Sequence, residues 1–298
     1  MEILIAVITY NGEATIKDTV DAVLAMDANV PVLIIDNASL DGTISAIEGI
    51  ISPRIRCIRN DINKGVGAAF NEALRQAKSI GAEWLMLLDQ DSQPGGDALS
   101  VMLSSVAEGT GALFPTVRCR SFPNIVHYPM KWTGMGFAAI VPAGDVTSLT
   151  RILVDTGISS GALYRVAAIE DIGGFNEGYF IDFVDHECHL RLKAAGYGLY
   201  WVRNAEIWHN LGRIHKMTDS GLWIEHEPFR YYYMGRNMIQ GYWRFGGIRA
   251  IWGLIGEIRE HTRRLRTYSV SAADCISWLR LGVLHGVLGK TGKLYSHN

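Results

Sequence analysis

Short apolar runs alternate with amphipathic stretches over the first ninety residues. Ile3–Ile8 is apolar throughout, Val32–Ile35 repeats the pattern, Arg54–Arg59 reads as a third strand and Trp84–Leu88 as a fourth. Between them Gly12–Met26 carries Ile16, Val20, Val23 and Leu24 at helical spacing, Asp41-Gly42 opens a short helix, and Gly65–Ser79 forms a longer one. Short all-apolar strands separated by helices predict an α/β fold whose central, mostly parallel sheet is covered on both faces. In such open sheets ligands gather beyond the carboxyl ends of the strands. Thr9-Tyr10-Asn11, Asp36-Asn37 and Asp89-Gln90-Asp91 all fall there.

From Gly95 to Gly157 the pattern is irregular, with short strands and Pro- or Gly-marked turns that the sequence does not place. Ser160–Val166 then reads as a strand, Asp185–Ala195 as a helix, and Gly198–Val202 and Ala205–Trp208 as further strands. After about Ile214 the composition shifts. Tyr231–Arg244, Ile248–Arg266 and Ala272–Leu288 carry aromatic, aliphatic and basic residues at helical spacing. The expected organisation is a catalytic domain over 1–214 and a C-terminal helical appendage over 215–298.

The 298 residues are 48% hydrophobic and 19% charged, enough apolar material for a core and no signature of disorder. A net charge of −2 argues against nucleic acid as the partner, since duplex binders carry a basic excess. Cys57, Cys119, Cys188 and Cys275 are scattered, without a CxxC pair, and read as small buried residues in a reducing compartment. The opening MEILIAVITYNGE reads as a strand and not as a signal peptide. No run approaches the roughly 18–20 apolar residues of a spanning helix. The expectation is a cytoplasmic protein, at most lying on the inner face of the cell membrane.

Asp89-Gln90-Asp91 places two carboxylates directly after a buried strand, where charge is costly. Hard divalent cations take such oxygens together with substrate phosphates, although a solvated turn would also accommodate two acids. Asp36 ends the second strand as Asp89 ends the fourth. It could accept the ring N–H of a pyrimidine or hold ribose hydroxyls, or it could serve with Asn37 and Ser39 in an Asx-turn or helix cap. Gly65-Val66-Gly67 lacks the third glycine of a dinucleotide fingerprint, because Phe70 stands there, and it follows the third strand instead of the first. Its glycines more simply allow a helix N-terminus to approach a ligand or a neighbouring loop.

Asp182, Asp185 and Glu187 cluster with His186 and His189 at a helix start. A carboxylate there could act as a general base, and the acids could equally cap the helix or oppose its dipole. The two histidines at i, i+3 could in principle be metal ligands, but that helix must also bury Leu190 and Leu192. His209 follows Ala205–Trp208 and gains interest if the fold carries it to Asp91.

In this order the segments resemble glycosyltransferase family 2, the inverting transferases of the GT-A fold, over roughly residues 1–212. The matching segments are Thr9-Tyr10-Asn11, Ile35-Asp36-Asn37-Ala38-Ser39 with Asp41-Gly42, and Asn60-Asp61-Ile62-Asn63-Lys64-Gly65 leading into Ala68-Ala69-Phe70-Asn71. Leu88-Asp89-Gln90-Asp91-Ser92 resembles the family's DXD motif, and Ser160-Gly161 with Gly173-Gly174-Phe175-Asn176 resembles its acceptor-side segment. Val184-Asp185-His186-Glu187, ending at Leu190-Arg191, matches the position of its Glu-Asp motif, and His209 stands where the family has a metal-binding histidine. Asp-Gln-Asp-Ser, with Phe180-Ile181-Asp182-Phe183-Val184-Asp185, is most similar to the bacterial rhamnosyltransferases that use dTDP-L-rhamnose. In one departure, Val184 stands where many members have glutamate, which leaves Asp185 as the acid and makes Asp182 its rival.

The resemblance implies an inverting single displacement with Asp185 as the base. It implies a metal ion, Mg²⁺ or Mn²⁺, held by Asp91 and His209 against the departing diphosphate. Thr9, Tyr10, Asn11, Asp36, Asn37, Lys64, Gly65, Asp89 and Gln90 would bind the donor, with Thr9 and Asp36 at the base and ribose and Asp89 at the ribose or sugar. The implied partners are dTDP-L-rhamnose and a saccharide acceptor of surface polysaccharide or O-antigen synthesis, for which a lipid-linked form is open. A homo-oligomer is open too. Ile248, Ile251, Trp252, Ile255 and Ile258 can form one apolar stripe flanked by Arg249, Arg259, Arg263, Arg264 and Arg266. Such a helix could lie on an anionic membrane, or it could pack on its own domain or a second subunit.

Three other readings compete. The same fold could use a UDP-hexose or UDP-N-acetylhexosamine. A nucleotidyltransferase would normally open with a Gly-rich loop and a basic residue, where this chain has Thr9-Tyr10-Asn11-Gly12-Glu13. A non-catalytic carbohydrate-binding protein would have no use for a metal at Asp91 or a base at Asp185.

Overall fold

The structure is a computed structural model that describes residues 2–26, 29–142, 150–212, 214–219 and 221–294. Its first half alternates as the apolar runs predict: β1 (Ile3–Thr9), α1 (Ile16–Met26), β2 (Val32–Asp36), α2 (Thr43–Glu48), β3 (Ile55–Arg59), α3 (Val66–Ser79) and β4 (Trp84–Asp89). β2 and β4 flank β1, β3 lies outside β2, and all four run parallel. Every residue of β1 and β2 is buried. The side chains of β1 divide by parity: Leu4, Ala6 and Ile8 pack with Phe70, Ala73 and Ala77 of α3, and Ile3, Ile5 and Val7 with Ile16, Val20 and Val23 of α1. A strand buried on both faces must be apolar at every position, which is why these runs do not alternate. β3 is the edge strand and carries Arg56, Cys57 and Arg59 outward. Cys57 is therefore exposed, unlike the buried Cys119, Cys188 and Cys275, on a strand with no neighbour beyond it.

After β5 (Gln93–Pro94), the stretch that sequence left irregular contains α4 (Ala98–Ser104), β6 (Thr110–Cys119), β7 (Val126–His127), β8 (Met130–Trp132), β9 (Phe137–Ala139) and β10 (Arg151–Leu153). Residues 143–149 of that stretch lie outside the described residues. β11 (Leu163–Arg165), α5 (Val166–Asp171), α6 (Val184–Ala194) and β12 (Gly198–His209) follow. The large sheet runs in the order β10-β12-β6-β11-β4-β1-β2-β3. β12 is parallel to β6, whereas β11 is antiparallel to both β4 and β6. The two strands expected at Gly198–Val202 and Ala205–Trp208 are one strand. Its register against β6 shifts between Val202 and Glu206, and this bulge interrupts the apolar pattern without ending the ladder.

A hairpin of β13 (Ile214–Thr218) and β14 (Gly221–Glu225) leads into α7 (Pro228–Tyr268) and α8 (Ala272–Val287). The two helices expected between Tyr231 and Arg266 are halves of α7, joined across a kink where Gly247 takes φ 60° and ψ −149°. Tyr242, Ala250 and Leu254 of α7 enter the core beneath the sheet, together with Phe183 and Trp201. The apolar stripe is consequently split. Ile251 and Ile258 pack against that core, while Ile248 and Trp252 are 65% and 68% exposed. Among the described residues no helix is long and apolar enough to cross a membrane.

Candidate active site

The chain passes from β3 on one side of β1 to β4 on the other, so the carboxyl ends of β1 and β4 face a point where strand order reverses. A cleft of about 550 Å³ opens there. Gln90 ties its two rims together. Its side-chain Oε1 accepts the Thr9 hydroxyl at 2.8 Å and the Tyr10 N–H at 2.7 Å, and its backbone carbonyl accepts the Thr19 hydroxyl at 2.7 Å. Asn37 does the same for the far wall: its Oδ1 accepts the Lys64 N–H at 3.1 Å, and its amide donates to the Gly65 carbonyl at 3.2 Å. Gly65 has φ 87°, and a Cβ there would stand 2.5 Å from the carbonyl oxygen of Phe180. That glycine lets the start of α3 meet the loop before α6, as its backbone freedom allows.

Asp89 and Asp91 bracket His209. The pairing of β5 with β12 sets Gln93 opposite Trp208, which carries the Asp89–Asp91 turn to the end of β12. The His209 Nδ1 lies 3.2 Å from Asp91 Oδ1, and its Nε2 lies 3.7 Å from Asp89 Oδ2. Ser92 Oγ, 3.2 Å from Nδ1, is hydrogen-bonded to Ser160 Oγ, which accepts the Asp89 N–H at 3.1 Å. Burial pushes the Asp89 carboxyl above its ordinary range, and the charges of Asp91 and Asp185 add to this against His209 and Arg230. Burial opposes a proton on His209, but the Asp91 hydrogen bond and the nearby carboxylates outweigh it and raise that pKa. The pocket therefore holds more negative charge than its own side chains neutralise comfortably. Carboxylate oxygen suits Mg²⁺ or Mn²⁺, and the imidazole nitrogen tilts the choice towards Mn²⁺. Among the described residues no three His, Cys, Asp or Glu side chains converge to cage an ion, so oxygens from a ligand would have to complete its shell.

The opposite wall is the loop 180–183 and the start of α6. Phe180, Asp182 and Phe183 all take left-handed φ values of 64–65°, costly for non-glycine residues. Asp185, in the first turn of α6, lines the cleft and accepts the N–H of His186 at 2.8 Å. Asp182 is committed elsewhere: Arg230 Nε donates to its Oδ2 at 3.2 Å and an Nη donates to its Oδ1. Glu187 is buried between Arg191 and Arg244. His189 is buried as well, with Nδ1 3.0 Å from Thr156 Oγ1 and Nε2 2.8 Å from the Tyr164 hydroxyl, so both ring nitrogens are occupied and neither is offered to a metal. His186 Nδ1 lies 2.6 Å from the same Thr156 hydroxyl.

Thr9, Tyr10, Asn37, Gly65, Asp89, Gln90, Asp91, Asp185 and His209 thus share one cleft. Asn11, Asp36 and Lys64 do not line it. Asn11 accepts the Leu40 N–H at 2.9 Å through its side chain. The fully buried Asp36 carboxylate accepts the Ser39 N–H at 3.1 and 3.3 Å, and the Lys64 ammonium lies 3.3 Å from Asn60 Oδ1. Arg230, which also lines the cleft, has no local signature in the sequence: it comes from α7, forty-eight residues after the aspartate it pairs with.

The profile of Glycosyl transferase family 2 matches residues 4–173. The N-acetylglucosaminyl-diphospho-decaprenol L-rhamnosyltransferase of Mycobacterium tuberculosis is 25% identical over 245 residues, 74% of this chain and 79% of that protein. The dTDP-rhamnosyl transferase RfbF of Shigella flexneri is 25% identical over 235 residues, 78% of this chain and 76% of that one. Among solved structures, GalNAc-T7 with UDP, GalNAc and Mn²⁺ superposes with a TM-score of 0.62 at 13% identity, covering 96% of this chain. This chain spans about half (54%) of the length of GalNAc-T7, and that likeness bears on the fold, which is the GT-A fold expected from the sequence.

Proposed function

Because this chain belongs to glycosyl transferase family 2, we propose that it moves L-rhamnose from dTDP-L-rhamnose to a hydroxyl of a saccharide acceptor, with inversion at the anomeric carbon. The observation that carries the reading is the meeting of Asp89, Asp91 and His209 with Asp185 across one cleft at the strand-order switch. Asp185 would take the acceptor's proton as the acceptor oxygen bonds to the anomeric carbon. The bond to the diphosphate breaks, and its electron pair leaves with the nucleotide. Thr9 and Tyr10 would hold the nucleoside side, together with Asn37, which orders the Lys64 backbone, and with the backbone that Asn11 and Asp36 order. Asp89 would contact the ribose or sugar.

Asp91 and His209 fit a divalent ion, Mg²⁺ or Mn²⁺, as ligands that leave most of its shell to phosphate oxygens. When bound, such an ion would offset the charge that develops on the departing diphosphate. The division at about residue 214 belongs to the same proposal: residues 1–214 supply the chemistry, and the helical part supplies Arg230 and supports the cleft. Rhamnose is favoured by what the two bacterial relatives are called. The mycobacterial name also favours an acceptor carried on a lipid diphosphate, which the protein would meet at the inner face of the cell membrane.

Calorimetric titration of dTDP and UDP, each with Mn²⁺ and then with EDTA, tests the reading. Tighter, metal-dependent binding of dTDP is expected. A preference for UDP would replace the donor while keeping the reaction, and a folded protein that binds neither nucleotide would overturn the assignment.

A further inference from the structure

Five carboxylates line the cleft, from Asp89, Asp91, Asp182, Asp185 and Glu227, and Arg230 is the one lysine or arginine among the described residues that joins them. A nucleoside diphosphate sugar brings further negative charge into this space, so some cation must meet it. Arg230 lies in the first turn of α7, after Pro228. Its guanidinium is held edge-on by both oxygens of Asp182, a fork-to-fork geometry that fixes the plane of the group. The pair uses two of the five N–H groups of an arginine. The partner is itself rigid, because Asp182 has φ 64° and its carbonyl accepts the Asn237 amide at 2.8 Å. Arg230 lines the same cleft as Asp89, Asp91 and His209 of the DXD-like site.

We propose that Arg230 binds the diphosphate of the donor and stabilises the departing nucleoside diphosphate, and that Asp182 is the positioning residue that holds Arg230 in place. This rests on the glycosyl-transfer reading above. Arg230 donates hydrogen bonds to the phosphate oxygens throughout and keeps its proton. The acceptor's proton goes to Asp185, and the electron pair of the broken bond between carbon and oxygen goes to the diphosphate. The role also explains why the C-terminal helices would be indispensable to a reaction whose other groups lie in residues 1–214.

The test is calorimetry in EDTA with thymidine, dTMP and dTDP (or the uridine series if the wild type prefers it), on wild type, Arg230→Gln, Arg230→Lys and Asp182→Asn. Working without metal isolates the arginine from any ion. The affinity ratio of dTDP to thymidine should fall about tenfold or more in Arg230→Gln. Arg230→Lys should lie between, since it keeps charge but not the fork, and Asp182→Asn should weaken dTDP without changing thymidine. In transfer assays with Mn²⁺, Arg230→Lys should lose more in kcat than in donor KM. An unchanged dTDP to thymidine ratio in Arg230→Gln, or in Arg230→Lys should the glutamine variant not fold, would overturn the proposal and leave the glycosyl-transfer reading standing. Wild type that binds the nucleotides only with Mn²⁺ would overturn this proposal alone, and wild type that binds none with or without Mn²⁺ would overturn both.

Discussion

Asn237 of α7 donates its side-chain amide to the backbone carbonyl of Asp182 at 2.8 Å, across 55 residues of sequence. The same amide reaches the carbonyls of Tyr179 at 2.9 Å and Ile181 at 2.8 Å. The neighbouring Arg236 donates to the Gly178 and Tyr179 carbonyls, and both side chains are buried. These bonds hold the turn at residues 180–183, whose three left-handed residues Phe180, Asp182 and Phe183 would each otherwise relax at a gain of roughly 1–3 kcal/mol. Asp185 follows directly, so its position is inherited from α7.

Replacing Asn237 by Ala should therefore affect both folding and chemistry. Buried carbonyls left without a donor cost about 1–3 kcal/mol each, which should lower the urea midpoint. The larger signature should be kinetic, a fall in kcat of about tenfold or more, since the turn carries Asp185; dTDP should also bind more weakly, because the same amide holds the Asp182 that positions Arg230, while thymidine affinity is retained. A variant that loses stability but keeps its kcat would show that the turn does not depend on Asn237 for its shape.

Asp185 and Asp182 make opposite predictions despite lying three residues apart. Asp185→Asn preserves shape and removes the base, and transfer should fall by about 10²–10⁴ with dTDP binding within about twofold of wild type. Asp182 already has both oxygens engaged by the guanidinium of Arg230. Its asparagine variant should weaken nucleotide binding instead. Single-turnover rates and calorimetry on the two variants separate these outcomes, and a reversed pattern would exchange their roles.

Much of this cleft was legible in the sequence because it sits at strand ends. β1, β2 and β4 are buried on both faces, so they are apolar runs, and the first polar residues after them must lie at the carboxyl edge. Asp36 shows the limit of that logic. It occupies the same position after β2 as Asp89 does after β4, yet the turn it caps with Ser39 keeps its carboxylate buried. β6 was not legible because Pro115 interrupts it, and a proline within a run ordinarily speaks against a strand. Here Pro115 pairs with Val202 where the register of β12 shifts, so the lost hydrogen bond falls at a bulge. Arg230, Arg236 and Asn237 could not be read at all, since their meaning lies in backbone carbonyls and a carboxylate about fifty residues away.

The bracketing of His209 by Asp89 and Asp91 sets the expectation for metal removal. With wild type, Mn²⁺ should tighten dTDP binding and EDTA should reverse the effect. Asp91→Asn and His209→Gln should each flatten the metal dependence while leaving the weaker, metal-free affinity close to that of wild type. Full Mn²⁺ enhancement in both variants would move the ion away from this pair.

His189 sets a pH dependence of stability. It is buried between Phe114 and Tyr164, with its ring nitrogens held by Thr156 and Tyr164. Burial lowers its pKa from 6.5 to about 3. Between those values the unfolded chain binds the proton and the folded protein does not, so stability rises with pH across that window. The contribution is complete above pH 6.5 and is lost as the pH falls, at up to about 1.4 kcal/mol per pH unit. His189→Gln cannot take up that proton. It should be less stable than wild type at pH 8 through poorer packing, and should close the gap steadily as the pH is lowered from 6.5 to 4.5. Urea midpoints of the two proteins at pH 8, 6.5, 5.5 and 4.5 make the comparison, and titrations elsewhere cancel in the difference. A gap that stays constant over that range would mean that His189 is protonated in the folded protein as readily as in the unfolded chain.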